Sequence, residues 1–268
     1  MPRAAKSVLV AFVLLAGLAP AAGAQSIWLD RVSPRNLHLE VAKPIYDDDG
    51  EDFLTTNWWL SGRFPLGAKV HLVGEVPYAR YAEDGGSFES SSIGNLYVGV
   101  ETNPVSGGSG AWFEGGLRLP TVDSNELASI PATFVDTDRW EAFTLGAEAW
   151  NLHTAAHWRS DIVGHVGVDV RAAPNVWFGG DLEDVDLLLV YGAQVLYHGT
   201  GARAGIGLTG RWLATFETDD DTSHQVEAAA DFFSGSVRPG FTARLPLDED
   251  LGDIQQAVIG VSLTVALQ

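Results

Sequence analysis

The last strand-like stretch of this 268-residue chain alternates between two kinds of side chain. From Ala257 to Leu267 every second residue is apolar, and the residues between them are small or polar, except Val258. A period of two places the two kinds of side chain on opposite faces of a β-strand. A tilted strand needs about 9–11 residues to cross a bilayer. The stretch has that length, so it predicts a membrane-spanning strand.

The same alternation recurs along the chain and predicts twelve strands. Their approximate bounds are 35–46, 53–64, 68–81, 93–102, 111–120, 148–158, 162–172, 186–198, 202–216, 223–233, 237–246 and 254–267. The sixth strand has an alternative, because residues 140–150 could instead form a helix within the preceding loop. Aromatic residues gather near the ends of these segments, which is typical of the interfacial girdles of membrane barrels. Ordinary aromatic positions in a sheet core would give a similar pattern.

The connections between the strands alternate in length and charge. Short connections, poor in acidic residues, lie at 65–67, 103–110, 159–161, 199–201 and 234–236. Acidic clusters mark the other connections, at 47–52, 83–89, 123–141, 181–186, 217–221 and 248–253. An even strand count with two different ends predicts an all-β fold, a transmembrane antiparallel up-and-down β-barrel. Short periplasmic turns and acidic extracellular loops are expected.

The N-terminus and the composition indicate export. Residues 1–24 combine a basic start, a short apolar run and Ala22-Gly23-Ala24, which is the pattern of a cleaved signal peptide. The barrel would then occupy residues 25–268. The chain has no cysteine, and its net charge of −19 disfavours binding to nucleic acid. We expect the bacterial outer membrane as location and no cofactor. The expected partners are membrane lipid, lipopolysaccharide, the barrel assembly machinery and a small-molecule solute.

The polar face of the predicted strands carries charged and histidine side chains among many glycines. The candidate lumen or pore-lining residues are Glu40, His71, Glu75, Glu101, Glu114, Arg118, His165, Asp169, Arg171, Arg203, Arg211, Glu227, Asp231, Arg238 and Arg244. Buried charges need partners, and the early strands carry acids where the late strands carry arginines. The hypothesis is an ion-pair network across the lumen that narrows or plugs the pore. The alternative is that these side chains only maintain the shape of the barrel.

Three groups of residues could carry other chemistry. His153 and His157 would share one face of a strand, but roughly 13 Å apart at 3.3 Å per residue, too far to share a metal ion. Asp219-Asp220-Asp221 with His224 could serve an outer-membrane hydrolase, although no GxSxG motif is present. The acidic loops, above all 47–52, could bind divalent cations, but they lack the spacing of an EF-hand. We therefore predict no catalytic and no metal residues.

Three stretches resemble a known family. They are Glu75–Tyr78, Ile93–Glu101 with its Gly94-Asn95 pair, and Gly115–Thr121, which ends in Pro120-Thr121 before the longest loop. Together they are similar to bacterial outer-membrane transporters of the phenol meta-pathway type over about residues 70–121. The resemblance implies a barrel that passes small, often apolar, molecules, and it supplies no catalytic residues. The C-terminal Ala266-Leu267-Gln268 departs from the aromatic end that many such barrels carry.

These observations predict passive passage or uptake of small, apolar or aromatic molecules, and no enzymatic activity. A non-conducting barrel that serves as an anchor or adhesin is the alternative. The third long loop, 121–147, has the length and apolar content to fold inward as a constriction. It could instead form a lid on the barrel mouth.

Overall fold

The computed structural model describes residues 35–46, 55–82, 89–102, 109–122, 127–143, 149–180, 182, 184–215 and 221–267. The predicted signal peptide and the acidic cluster 47–52 lie outside these residues. Within the described part, no helix has the length and hydropathy to span a membrane.

Thirteen strands and three short helical segments make up the described chain. The strands are β1 (Asn36–Ile45), β2 (Thr56–Pro65), β3 (Val70–Ala82), β4 (Glu89–Ile93), β5 (Leu96–Thr102), β6 (Gly110–Leu119), β7 (Trp150–Val163), β8 (Val166–Phe178), β9 (Asp186–His198), β10 (Ala202–Leu213), β11 (Thr222–Phe232), β12 (Val237–Pro246) and β13 (Ala257–Ala266). The helical segments are α1 (Ser129–Phe134), a 3-10 helix (Thr137–Ala142) and α2 (Glu249–Ile254).

The strands form one closed antiparallel barrel. Sequential strands pair around the sheet, and β1 closes it by pairing with β13 and with β2. Both β4 and β5 pair with β3, β4 at one end and β5 at the other. They are therefore two halves of one stave, interrupted at Gly94 and Asn95, and the barrel has the twelve staves that the sequence predicts.

The two ends of the barrel differ as predicted. Short turns join β2 to β3, β7 to β8, β9 to β10 and β11 to β12, and we call this the short-turn end. The longer connections leave from the opposite end, the long-loop end. The turn between β7 and β8 lies at Gly164 and His165, not at 159–161 as predicted. Gly164 supplies the positive φ of 55° that a tight hairpin turn requires.

The wall has an apolar outer face and a polar inner face. On β13 the outward Val261 is 60% exposed, whereas the inward Thr264 is only 2% exposed. Leu60, Val98 and Ile206 repeat the outward exposure on other strands. A water-soluble barrel has the opposite arrangement, so this polarity is the one that a lipid-embedded barrel requires.

Candidate functional site: a segment folded into the barrel

Residues 127–143 leave the long-loop end and fold into the barrel interior; we call them the inserted segment. Ala132 and Phe143 are at most 2% exposed. Side chains of the wall hold its backbone. Asn57 Nδ2 donates to Ala132 O at 3.0 Å, and Gln255 Nε2 donates to Phe134 O at 2.6 Å. Residues 127–143 of the third long loop thus fold inward and do not form a lid on the barrel mouth.

One side of the inserted segment is apolar. Ala128, Ala132, Val135 and Phe143 pack with buried wall residues in one cluster. The ring of Phe143 meets the ring of Trp59 edge to face, with centroids 6.3 Å apart. This cluster is small and rich in alanine, so apolar burial alone anchors the segment weakly.

Arg139 is the central charge of the inserted segment. Its Nη1 donates to Glu40 Oε2 at 2.8 Å, and its Nε lies 3.6 Å from Glu75 Oε2. The guanidinium also lies over the Trp59 ring, 4.8 Å from the centroid. One arginine of the segment therefore contacts three neighbouring strands of the wall, β1, β2 and β3.

The acidic residues of the same segment contact an arginine of β12, which lies close to β1 in the barrel, and an arginine of β8, which lies on the opposite side. Asp136 Oδ2 lies 3.2 Å from Arg244 Nη2, and Asp138 accepts a hydrogen bond from Arg171. Together with Arg139, these contacts complete an ion-pair network across the lumen. The predicted network therefore exists, but the segment mediates it. The expectation that these acids decorate an outer loop is wrong, because Asp136 and Asp138 are at most 3% exposed and contact arginines of the wall.

Glu141 extends the network toward β6 and β7. Its Oε1 accepts from Arg118 Nε at 3.2 Å and lies 3.8 Å from His153 Nδ1. Arg118 Nη2 also donates to Glu75 at 2.9 Å. Arg118 thus bridges the segment and the wall.

The interruption between β4 and β5 is the docking point for the end of the segment. The backbone N–H of Asn95 donates to Ala142 O at 2.7 Å, and its side-chain Nδ2 donates to Glu141 O at 3.0 Å. A Cβ atom on Gly94 would lie 2.3 Å from Ala142 O. Asn95 Oδ1 also accepts from the Thr121 N–H at 3.1 Å. Two stretches that carry the family resemblance therefore meet where the segment leaves and rejoins the wall.

A second set of ion pairs lies toward the short-turn end. Arg159 Nη2 donates to Asp169 Oδ2 at 2.7 Å, and Arg203 pairs with Asp231. These pairs join neighbouring strands of the wall and do not involve the inserted segment. They fill the interior as side chains do in small barrels.

The structure places most of the predicted lumen residues on the inner face. Those that are inward and buried are Glu40, His71, Glu75, Glu101, Glu114, Arg118, Asp169, Arg171, Arg203, Arg211, Glu227, Asp231 and Arg244. Arg238 is half-buried near the short-turn end, with its guanidinium 4.9 Å from the centroid of the Phe233 ring. His165 is wrong as a lumen residue: it is exposed in the β7–β8 turn, because β7 continues to Val163.

Sequence reasoning missed Arg139 and Asn95 as interior contacts. Strand alternation assigns faces only to residues in regular strands. Arg139 lies in a predicted loop, and Asn95, although it falls within the predicted strand 93–102, lies between the observed strands β4 and β5. For Arg139 the available signal was an isolated arginine within an acidic loop. For Asn95 it was the glycine-asparagine pair that interrupts an otherwise alternating segment.

The described histidines and aspartates that were considered for catalysis or metal binding make ordinary side-chain contacts. His224 faces outward, where its Nε2 lies 2.8 Å from the Tyr191 hydroxyl and its Nδ1 lies 3.1 Å from Asp248 Oδ1. Asp219 and Asp220 lie outside the described residues. His153 Nδ1 contacts Asn175 Oδ1 at 2.7 Å. In the described part of the chain, no group of three or more His, Cys, Asp or Glu side chains could hold a metal ion.

Comparisons with solved structures place this fold among bacterial outer-membrane β-barrels. An outer membrane channel from Pseudomonas putida F1 aligns over 90% of this chain and 99% of its own, with a TM-score of 0.59 and 13% identity. The translocator domain of the autotransporter NalP from Neisseria meningitidis aligns over 98% of this chain and 96% of its own, with a TM-score of 0.58 and 10% identity. The transport unit of the autotransporter AIDA-I from Escherichia coli covers 100% of both chains, with a TM-score of 0.52 and 7% identity. No family model and no curated protein matches the sequence.

Proposed function

We propose that this chain is an outer-membrane channel for the passive passage or uptake of small molecules, with the inserted segment as its constriction. The observation that carries the proposal is how the segment is held. Its strongest contacts with the wall are ion pairs and hydrogen bonds, such as Arg139 with Glu40 and Asn95 with Glu141. Water can replace these contacts when the segment moves. The wall keeps its backbone ladder throughout, so a pathway can open without unfolding the barrel.

The orientation follows the general pattern of bacterial barrels, in which short turns face the periplasm and longer loops face the exterior. The inserted segment would then enter from outside the cell. Export by a cleaved signal peptide over residues 1–24 belongs to the same proposal. So does contact of the acidic loops with lipopolysaccharide or divalent cations. Calorimetric titration with Ca²⁺ tests the binding of divalent cations, and the absence of binding heat would refute it.

The solutes that we propose are small and include apolar or aromatic molecules. Liposome swelling with a graded panel of sugars, amino acids and aromatic compounds tests the function directly. We expect small solutes to enter faster than large ones, and faster than in protein-free liposomes. Swelling that is equal to that of protein-free liposomes for every solute would overturn the channel function.

A non-conducting structural or adhesive barrel is the second candidate. The filling of the interior favours it, since inward side chains such as Glu40, Arg118 and Arg171 are at most 5% exposed. Single-channel recording separates the two candidates: current steps support the channel, and their absence at every voltage supports the structural barrel.

We do not propose an enzyme. His224 contacts Tyr191 and Asp248 on the outer face, and these two described side-chain partners include no serine. Hydrolysis of an ester or peptide panel that is lost in His224→Ala would contradict this reading.

A further inference from the structure

A small cavity lies on the inner wall of the barrel where β9, β10 and β11 run side by side; we call it the Gly207 notch. Gln194 and Glu227 flank Gly207 in register on the two neighbouring strands. The cavity has a volume of about 10 Å³, which is the room that one water-sized group needs. Its remaining lining residues are Ala193, Gly205, Leu208, Thr209 and Ala229.

Gly207 leaves the notch open because it has no side chain. A Cβ atom at this position would lie 2.7 Å from Gln194 Cβ and 2.7 Å from Ala193 O. The side chain of Gln194 therefore begins directly beside the space that the glycine leaves. Gln194, Gly205 and Gly207 all keep partial exposure, although their alternation places them on the inner face. The notch thus adjoins a part of the lumen that side chains do not fill.

Two polar atoms at the notch have no hydrogen-bond partner among the described residues. Gln194 Nε2 is a donor on one side, and Glu227 Oε1 is an acceptor on the other, and both atoms are buried. Glu227 is only 9% exposed, and its second oxygen, Oε2, lies 3.5 Å from Arg244 Nε. A buried polar group without a partner costs about 1–3 kcal/mol. The pair therefore calls for an occupant that accepts from Gln194 and donates to Glu227.

A hydroxyl group meets both requirements at once. Its oxygen accepts a hydrogen bond while its hydrogen donates one, and it has the size of the notch. A carboxylate brings no donor for Glu227. An ammonium group brings no acceptor for Gln194. The chemistry of the notch therefore favours a neutral hydroxylated molecule over either ion.

The notch lies next to the inserted segment, on the side of the short-turn end. Gln225, two residues before Glu227 on the same face of β11, accepts from the Thr137 N–H at 3.0 Å. Farther along β11, Asp231 pairs with Arg203 of β10. The notch lies between these two levels of the lumen. A solute that passes the inserted segment from the long-loop end would reach the notch next.

We propose that the Gly207 notch binds the hydroxyl group of a small neutral molecule, such as a short alcohol or polyol. The hydroxyl donates to Glu227 Oε1 and accepts from Gln194 Nε2, and the rest of the molecule lies in the lumen beside Gly205. Water occupies the notch when no solute is bound, since it offers the same donor and acceptor. The inference rests on the proposed function because it names a solute class for that channel.

Saturation-transfer NMR of the folded full-length protein in detergent tests the site without requiring transport. The probes are 1-propanol, propylammonium and propionate, which are similar in size and differ in the polar head group. We expect 1-propanol to bind about threefold to tenfold more tightly than either ion, because only the hydroxyl makes both hydrogen bonds. Binding of either ion that equals or exceeds that of 1-propanol would overturn the proposal. So would the absence of 1-propanol binding, which would leave the notch to water alone.

Variants locate the binding. Gly207→Ala fills the notch and should weaken 1-propanol binding about tenfold or more, since it displaces both hydrogen bonds. Glu227→Gln keeps the shape of the notch, removes the charge from the acceptor and should weaken binding about threefold. The matched control is Glu101→Gln, which alters a buried carboxylate that pairs with Arg63 in another part of the wall and should have no effect. Circular dichroism establishes that each variant is folded. Unchanged 1-propanol affinity in folded Glu227→Gln, or an equal loss in Glu101→Gln, would overturn the assignment.

The site and the channel can fail separately. Binding of 1-propanol with no swelling for any solute would refute the channel and leave the site. Swelling with a protein that does not bind 1-propanol would refute the site and leave the channel.

Discussion

Replacing Arg139 should release the inserted segment from the barrel wall. Arg139→Gln removes the charge that contacts Glu40 at 2.8 Å and Glu75 at 3.6 Å, and the stacking on Trp59. Its carboxylate partners keep other arginines, since Arg244 lies 2.8 Å from Glu40 and Arg118 lies 2.9 Å from Glu75. The change therefore weakens the segment more than the wall.

The magnitude follows from the burial of these pairs. Removing one partner of a buried ion pair costs about 3–5 kcal/mol. The remaining arginines recover part of this cost, so about 2–3 kcal/mol should be lost from the docking of the segment. At about 1.4 kcal/mol per tenfold change in an equilibrium constant, the released population rises roughly 30- to 140-fold.

Thiol labelling measures this population. The chain has no cysteine, so a single Ala132→Cys substitution reports on a position that is 2% exposed. We expect the labelling rate at this position to rise by the same factor when Arg139→Gln is added, because labelling requires release of the segment. Single-channel recording should show a matching rise in open probability.

A matched control is Arg159→Gln, which breaks the buried pair with Asp169 between two strands of the wall. It should lower the melting temperature without accelerating labelling at position 132. Labelling that is equally slow with and without Arg139→Gln, or equally fast in both variants, would refute the reasoning that this arginine holds the segment.

Two further predictions concern docking and the membrane face. Gly94→Ala places a Cβ atom 2.3 Å from Ala142 O and should displace the end of the segment, increasing its cleavage by added protease; Gly74→Ala, where the nearest atom lies 3.6 Å away, should not. Val261→Arg puts a charge on the outward face and should lower folding stability in vesicles by about 2–4 kcal/mol in a denaturant titration. Glu249→Arg in the exposed helix α2 should cost little, and equal costs would contradict a lipid-facing wall.

The sequence predicts the wall well because a strand repeats every two residues. The bounds predicted for β9 and β12 coincide with those observed. The errors fall where alternation is weak. The sequence predicts a strand only from residue 93, whereas β4 begins at Glu89. Ser90, Ser91 and Ser92 show no apolar alternation and join the sheet through backbone pairing with β3. The predicted β7–β8 turn at 159–161 precedes the observed turn at Gly164. The three polar residues Arg159, Ser160 and Asp161 resemble a turn sequence, but they belong to β7.

The interior could be predicted only in part. The alternation along the strands indicates which charged residues face inward. It cannot show that Asp136, Asp138 and Arg139 contact them, because a long-range contact leaves no local periodicity. The excess of arginine on late strands was the physical hint, because each buried cation requires a partner. The partners came from a loop whose acids look like ordinary surface decoration.

The central claim is that the inserted segment constricts a pathway through the barrel. The most direct measurement is the single-channel conductance of a variant in which residues 124–146 are replaced by a short glycine-serine linker, compared with the unaltered chain. Twelve paired staves and their own ion pairs, such as Arg159 with Asp169, remain in this variant. We predict a larger and steadier conductance than that of the unaltered protein. A folded variant with unchanged conductance, or with none, would contradict the account.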